Sequence, residues 1–274
     1  MSQPETGVAP ARRVAAFFDL DKTIIAKSST MAFSRPFFEQ GLINRRAVLK
    51  SSYAQFLVLL TAADNDQMTR MRDHLTQMCA GWNVDQVRSI VRETLHDIVD
   101  PLVFSEAADL IAGHHARGHD VVVVSASGEE MVHPIGDMLG ADYAIGTTMA
   151  VADGKYTGDL DFYCFGDNKV VAMQKLAETN GYDLTQCFAY SDSITDVPML
   201  AAVGHPTAVN PDRGLRREAG EQGWPVVSFS NPVSLRDRIP TPSRTSVLAS
   251  AGLATVAAAA GTATYVLLQR KRRR

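Results

Sequence analysis

The stretch Val14-Ala15-Ala16-Phe17-Phe18-Asp19-Leu20-Asp21-Lys22-Thr23 decides the fold. Its apolar run, closed by a polar turn-like cluster, reads as a strand buried on both faces, the habit of parallel sheets. The strand ends on two aspartates one residue apart. Like charges that close raise each other's pKa unless a cation offsets them. In open parallel α/β sheets ligands bind beyond the carboxyl ends of the strands. The pair therefore reads as a site holding a divalent metal, a carboxylate nucleophile, or both. The same residues equally suit an Asp-rich turn that caps a helix, with Thr23 helping. This stretch alone leaves both readings open.

Downstream, from residue 28 to about 104, the pattern is helical. Tyr53, Phe56, Leu57 and Leu60 recur at helical spacing, as do Met68, Met71, Leu75 and Met78, a stripe read as core packing. Val84, Val87, Ile90, Val91, Leu95 and Ile98 form a further amphipathic face before Pro101. Then the period changes. Helices are expected over 105–116, 129–139, 168–179, 197–203 and 213–222. Strands are expected over 120–124, 143–147, 186–190 and 207–209, with a hairpin turn at Asp153-Gly154. Alternation of this kind implies an α/β fold with a doubly wound parallel sheet, interrupted after its first strand by a helical insert. The expected division is a flexible 1–12, a core of 13–27 plus 105–230, a helical cap of 28–104, a linker of 231–246, an apolar helix of 247–268 and a basic tail of 269–274.

Composition narrows the function. With 274 residues, 46% apolar and 21% charged, the chain can bury a full core. Its net charge of −3 hides an asymmetry, because residues 270–274 are all basic and leave 22 basic against 30 acidic groups elsewhere. A body of that sign argues against nucleic acid as a partner. Cys79, Cys164 and Cys187 form neither a metal-ligand pattern nor a disulfide framework. His114, His115 and His119 read as solvent-exposed loop histidines. The polar N-terminus lacks an apolar signal core, so a cytoplasmic body is expected.

Residues 247–268 are uncharged and Ala-rich. As a helix they would measure ~33 Å, enough to span a bilayer core. Ala257 and Gly261, four apart, suit close helix packing in lipid. Membrane attachment through this helix and the basic tail is the expectation. A single span would place 270–274 outside, against the positive-inside tendency, so a tail resting on anionic headgroups is the alternative.

Four features fall where strands end or helices begin: the Asp19/Asp21 pair, Ser125, Lys169, and Asp192 with Asp196. Phosphoryl transfer needs these types. One carboxylate attacks phosphorus, a second moves the proton, a hydroxyl and a lysine hold phosphoryl oxygens, and further carboxylates position a metal.

The order DxDxT, Ser, Lys, DxxxD resembles the haloacid dehalogenase superfamily, specifically its phosphoserine-phosphatase-like branch with a helical cap after the first motif, over about residues 13 to 230. The resemblance implies Asp19 as nucleophile and Asp21 as general acid/base. It implies Thr23, Ser125 and Lys169 at the substrate phosphate. It implies Mg²⁺ held by the Asp19 carboxylate, the Asp21 carbonyl and Asp192, with Asp196 a further ligand or a support behind them. The implied reaction is hydrolysis of a small phosphomonoester through an aspartyl-phosphate.

Three departures bear on substrate. Lys22 stands where glycine is frequent in the family, Ser191-Asp192-Ser193 replaces the commoner Gly-Asp-Gly, and Ser28 stands where phosphoserine phosphatases carry the glutamate that meets the substrate's ammonium. The first two remove no reacting group, whereas the uncharged Ser28 weighs against phosphoserine. It is the apolar tail that turns the expected substrate toward a lysophospholipid or glycerol phosphate, within the wider class of small phosphomonoesters. A phosphoserine phosphatase, a phosphoryl transferase to a non-water acceptor, and a non-catalytic membrane-tethered binding module are the alternatives. Arg35, Arg45, Arg46 and Lys50 are read as solvated cap charges, and Phe33, Phe37 and Phe38 as cap packing.

Overall fold

The computed structural model describes residues 13–43, 73 and 76–232. The expected N-terminal arm, most of the middle of the cap, the apolar helix of 247–268 and the basic tail lie outside the described residues. Among the described residues no helix is long and apolar enough to cross a membrane.

Strand β1 (Ala15–Phe18) is buried along its whole length and lies at the middle of a seven-stranded sheet. The insert follows with α1 (Ser29–Glu39) and α2 (Val84–Val99), the latter capped by the Asn83 side chain, which accepts from the Gln86 N–H. Then come α3 (Ser105–Ala116), β2 (Asp120–Gly128), α4 (Glu129–Leu139), β3 (Tyr143–Ala152) and β4 (Lys155–Phe162). The chain closes with α5 (Asp167–Asn180), β5 (Phe188–Ser191), α6 (Val197–Ala201), β6 (His205–Val209), α7 (Arg213–Gln222) and β7 (Val226–Val227).

The strand order is β4-β3-β2-β1-β5-β6-β7, parallel except for the β3–β4 hairpin. Alternate residues of β1 serve two cores. Ala16 and Phe18 pack with Phe33, Val91, Ile111 and Ile135 from the helices of one face. Ala15 and Phe17 pack with Met173, Leu200 and Leu215 from those of the other. A strand covered on both sides has no polar positions to spare, which is why 14–18 reads as a continuous apolar run. The chain leaves β1 toward β2 and later returns to β5 on the opposite flank. The carboxyl ends of β1 and β5 thus form the crevice in which such sheets bind ligands.

Several boundaries move. β2 continues to Gly128, past the expected end at 124, with a register shift against β3 between Val124 and Gly128. Residues 184–186 form a 3-10 turn, with the Asp183 side chain accepting from the Thr185 N–H, so β5 starts only at Phe188. β6 begins at His205, where the ladder to Phe188 starts, and a short β7 adds an edge strand absent from the sequence reading. At Asp153-Gly154 both residues have positive φ (50° and 72°), the backbone of a tight hairpin turn.

The histidine reading is overturned at His114. It lies in α3, not a loop, and is fully buried, its ring edge-on to Phe18 and its Nε2 2.8 Å from the Tyr190 hydroxyl. Its place on the face that carries Ala107 and Ile111 seats it in the core. Phe33 and Phe37 are buried as packing residues, whereas Phe38 is exposed. Arg35 is a surface residue paired with Glu39; Arg45, Arg46 and Lys50 lie outside the described residues. All three cysteines are free.

Candidate active site

Asp19 leaves β1 with its N–H donating to the Tyr190 carbonyl at 2.9 Å, which laces the end of β1 to the end of β5. The following turn returns Ile24 N–H to the Leu20 carbonyl at 2.9 Å. Within it Lys22 adopts φ 62°, the left-handed region that costs a side-chain-bearing residue ~1 kcal/mol and explains a preference for glycine there.

Lys169 is the third residue of α5 and shares its buried face with Met173 and Ala177. That face aims the ammonium into the crevice. Lys169 Nζ donates to Asp19 Oδ1 at 2.7 Å and to Asp196 Oδ2 at 2.8 Å, all three groups being buried. Asp196 Oδ2 also accepts from the Ser191 hydroxyl at 2.6 Å. The loop bearing Asp192 is held from α7: the Asp212 N–H donates to the Asp192 carbonyl at 2.8 Å, and Asp212 Oδ2 accepts from the Ile194 N–H at 2.9 Å.

Asp21 is held separately. Its Oδ1 accepts from the Ser29 N–H at the start of α1 at 2.8 Å, and its Oδ2 from the Ser127 hydroxyl at 3.1 Å. Through the Ser29 N–H, Asp21 also caps the N-terminus of α1, as the helix-capping reading of this stretch expects. Ser125 Oγ is buried and accepts from the Ser127 N–H at 3.2 Å. Thr23 is fully buried, and its Oγ1 has no hydrogen-bond partner among the described residues.

Charge dominates the cluster. Burial alone would lower Lys169, but Asp19 and Asp196 outweigh it and keep the ammonium charged well above its ordinary range. Burial pushes Asp19 up to about 7 against the pull of Lys169, with Asp196 and Asp21 adding to the rise. Asp192 is pushed up to about 8 by burial and then by Asp19, partly opposed by Lys22. Asp21 is raised by burial and drawn back by its bonds to Ser29 and Ser127.

A divalent cation fits this donor set. The oxygen donors beyond the β1 and β5 ends include the Asp19 and Asp192 carboxylates, the ligands of a hard ion. The buried Asp192 carboxylate accepts no hydrogen bond from a described residue, and the charge that acts on it most strongly is the like-charged Asp19. Among the described residues no three His, Cys, Asp or Glu side chains form a ready cage. A pair of carboxylates suits Mg²⁺, which keeps several water ligands.

The structure thus brings Asp19, Lys169 and Asp196 into direct contact, with Asp21 and Ser125 tied together through Ser127. Sequence reasoning missed Ser29, Ser127 and Ser191. Ser127 was signalled by its alternation with Ser125 along one strand face; Ser29 and Ser191 gave no signal beyond their closeness to the aspartates.

Buried carboxylates and an ammonium gathered at the switch point of a parallel sheet mark an enzyme. The chain belongs to the haloacid dehalogenase-like hydrolases, whose family model matches residues 16–201. It is 67% identical over 269 residues to a probable phosphatase of Mycobacterium tuberculosis, covering 97% of this chain and 94% of that protein. It is 34% identical over 218 residues to a phosphoserine phosphatase of the same species, covering 78% and 70%. A substrate-bound phosphoserine phosphatase structure shares the fold, with a TM-score of 0.59 at 19% identity over 82% of this chain and 96% of that one.

Proposed function

We propose that this hydrolase is a Mg²⁺-dependent phosphatase that cleaves a small phosphomonoester through an aspartyl-phosphate on Asp19. The observation that carries the reading is the Lys169 ammonium bridging Asp19 and Asp196 in a buried site. A buried lysine that pairs the expected nucleophile and leaves a second carboxylate, Asp192, without a donor is built for added negative charge balanced by a cation. Residues 28–104 act as a cap over a core of 13–27 and 105–230.

In the first step an Asp19 carboxylate oxygen bonds to phosphorus, the ester P–O bond breaks, and Asp21 gives its proton to the leaving oxygen. In the second, water attacks phosphorus, surrenders a proton to Asp21, and the bond between Asp19 and phosphorus breaks. Lys169, the Ser125 hydroxyl and Thr23, whose Oγ1 has no partner among the described residues, face the phosphoryl oxygens. Asp19, the Asp21 carbonyl and Asp192 would hold Mg²⁺, which supplies the positive charge that these carboxylates and a phosphoryl dianion require. Asp196, engaged by Lys169 and Ser191, serves as the support behind the ligands.

Phosphate release from a panel of phosphomonoesters, measured with Mg²⁺ and with chelator, tests the reading. Asp19→Asn, folded by circular dichroism, is expected to lose at least ~10³-fold in kcat/KM. Full activity in that variant would overturn the reading.

The 34% identical phosphoserine phosphatase supports phosphoserine as a second substrate reading. Ser28 argues against it: it precedes the helix whose N-terminus Asp21 caps and carries no charge for an ammonium. The apolar 247–268 supports a lipid-related phosphomonoester. Turnover of phosphoserine set against lysophosphatidate separates them, and a strong phosphoserine preference would remove the lipid reading.

A further inference from the structure

Ser29 opens the first helix of the cap, and Ser127 lies on the second strand of the core, 98 residues away. Their hydroxyl oxygens meet at 2.7 Å in a buried setting. Both also touch Asp21: Ser29 through its N–H on Oδ1, Ser127 through its hydroxyl on Oδ2. The Ser127 hydroxyl has one hydrogen, and it goes to Asp21 Oδ2. The Ser29 hydroxyl must then be the donor to Ser127. Thr30 Oγ1, 3.4 Å from the Ser127 hydroxyl, stands as a longer second contact on the same helix.

We infer that Ser29 and Ser127 are positioning residues, a two-hydroxyl relay that locks the Asp21 carboxyl group for proton transfer and ties that transfer to the seating of the cap's first helix on the core. The inference rests on the reading of Asp21 as the proton donor. The carboxyl torsion of an aspartate is broad and soft. With each Asp21 oxygen fixed by a donor from a different element, that torsion is pinned. Proton transfer needs heavy atoms within ~2.6–3.2 Å of each other, so such pinning bears directly on rate. Ser127 also donates its N–H to Ser125 Oγ, leaving the Ser125 hydrogen free for a phosphoryl oxygen. One side chain thus registers the proton donor against the phosphate-facing hydroxyl.

A merely structural serine pair and a positioning pair differ in how loss depends on the leaving group. A good leaving group departs without a proton, and a poor one does not. The experiment measures kcat/KM of the full chain with Mg²⁺ on p-nitrophenyl phosphate and on a series of alkyl phosphates, for wild type, Asp21→Asn, Ser127→Ala, Ser29→Ala and Ser29→Ala/Ser127→Ala. Asp21→Asn should steepen the dependence on leaving-group pKa. Ser127→Ala should steepen it in the same sense, losing about 10-fold or more on alkyl phosphates and less than about threefold on p-nitrophenyl phosphate. Ser29→Ala, which keeps its N–H bond to Asp21, should do so more weakly. In the double variant the Ser29 change should add nothing, since the relay is already cut. Equal loss across all leaving groups in Ser127→Ala and Ser29→Ala, with Asp21→Asn steepened, would overturn the relay alone. An unchanged slope in Asp21→Asn would overturn both the proton-donor reading and the relay.

Discussion

Lys169 Nζ lies 2.7 Å from Asp19 Oδ1, although 150 positions separate the two residues in the chain. The contact joins the end of the central strand to the start of α5, and the second bond of the same ammonium reaches Asp196 beside β5. Fold and chemistry meet in this lysine. Replacing it with methionine leaves two buried carboxylates facing one another without a cation. Breaking a buried pair from one side costs about 3–5 kcal/mol, and under the proposed mechanism loss of this charge should lower kcat/KM by ~10²-fold or more. Lys169→Arg should not restore activity, because a planar fork does not replace a compact ammonium held between two oxygens. Urea unfolding and steady-state kinetics on the same preparations check both parts.

Asp192 and Asp196 should separate in a metal titration. Asp196 Oδ2 is engaged by Lys169 and Ser191, whereas the Asp192 carboxylate makes no hydrogen bond to a described residue. Asp192→Asn is expected to raise the Mg²⁺ concentration for half-maximal activity by ~10-fold or more, as loss of a ligand does. Asp196→Asn should instead depress kcat while moving that concentration by less than about threefold. A large shift in Mg²⁺ requirement for Asp196→Asn would make it a ligand.

His114 gives the fold an acid-side weakness. Burial, with Arg117 and His119 adding, lowers its imidazole to about 4. The unfolded chain titrates this residue near ~6.5, so between that pH and about 4 the unfolded state binds more protons. The stability that His114 supplies is complete above pH ~6.5 and is lost as pH falls toward 4, by an amount on the order of 3 kcal/mol. The raised carboxylates Asp19 and Asp192 act in the opposite sense. His114→Phe therefore isolates the term: its urea midpoint should fall less than that of wild type between pH ~7.5 and pH ~5. Parallel pH dependences in the two proteins would contradict the assignment.

Gly146 permits the close approach of β3 to the start of α4. A Cβ there would lie 2.8 Å from Glu129 Cα and 3.0 Å from the Ser127 carbonyl, both backbone atoms. Gly146→Ala should cost about 1–3 kcal/mol and displace Ser127, so activity should fall beyond what the lost stability explains. Thermal melting and kcat/KM, read under conditions where the variant is fully folded, test this.

The parts of the site that were legible in the sequence are those written as residue type at an element boundary. Asp19 and Asp21 follow an apolar run that only a doubly covered strand explains, and Lys169 and Asp192 stand at similar junctions. The doubly wound sheet followed from the same alternation. What stayed hidden depends on packing over long separations. Ser29 and Ser127 become neighbours of Asp21 only when the cap meets the core, and no local pattern encodes that. The polar ring of His114 suggests exposure, but helix phase places it on the buried face of α3 with Ala107 and Ile111. The end of β2 is hidden because Ser125-Ala126-Ser127-Gly128 has turn-like chemistry, yet Gly128 still pairs with Thr147 of β3.

The central claim is that Asp19 carries the phosphoryl group. Rapid acid quench during turnover, borohydride reduction of the acyl phosphate and peptide mass spectrometry test it most directly. The account predicts conversion of residue 19 to homoserine, dependent on substrate and absent in Asp19→Asn. Turnover with no modification at residue 19, or modification at another carboxylate, would contradict it.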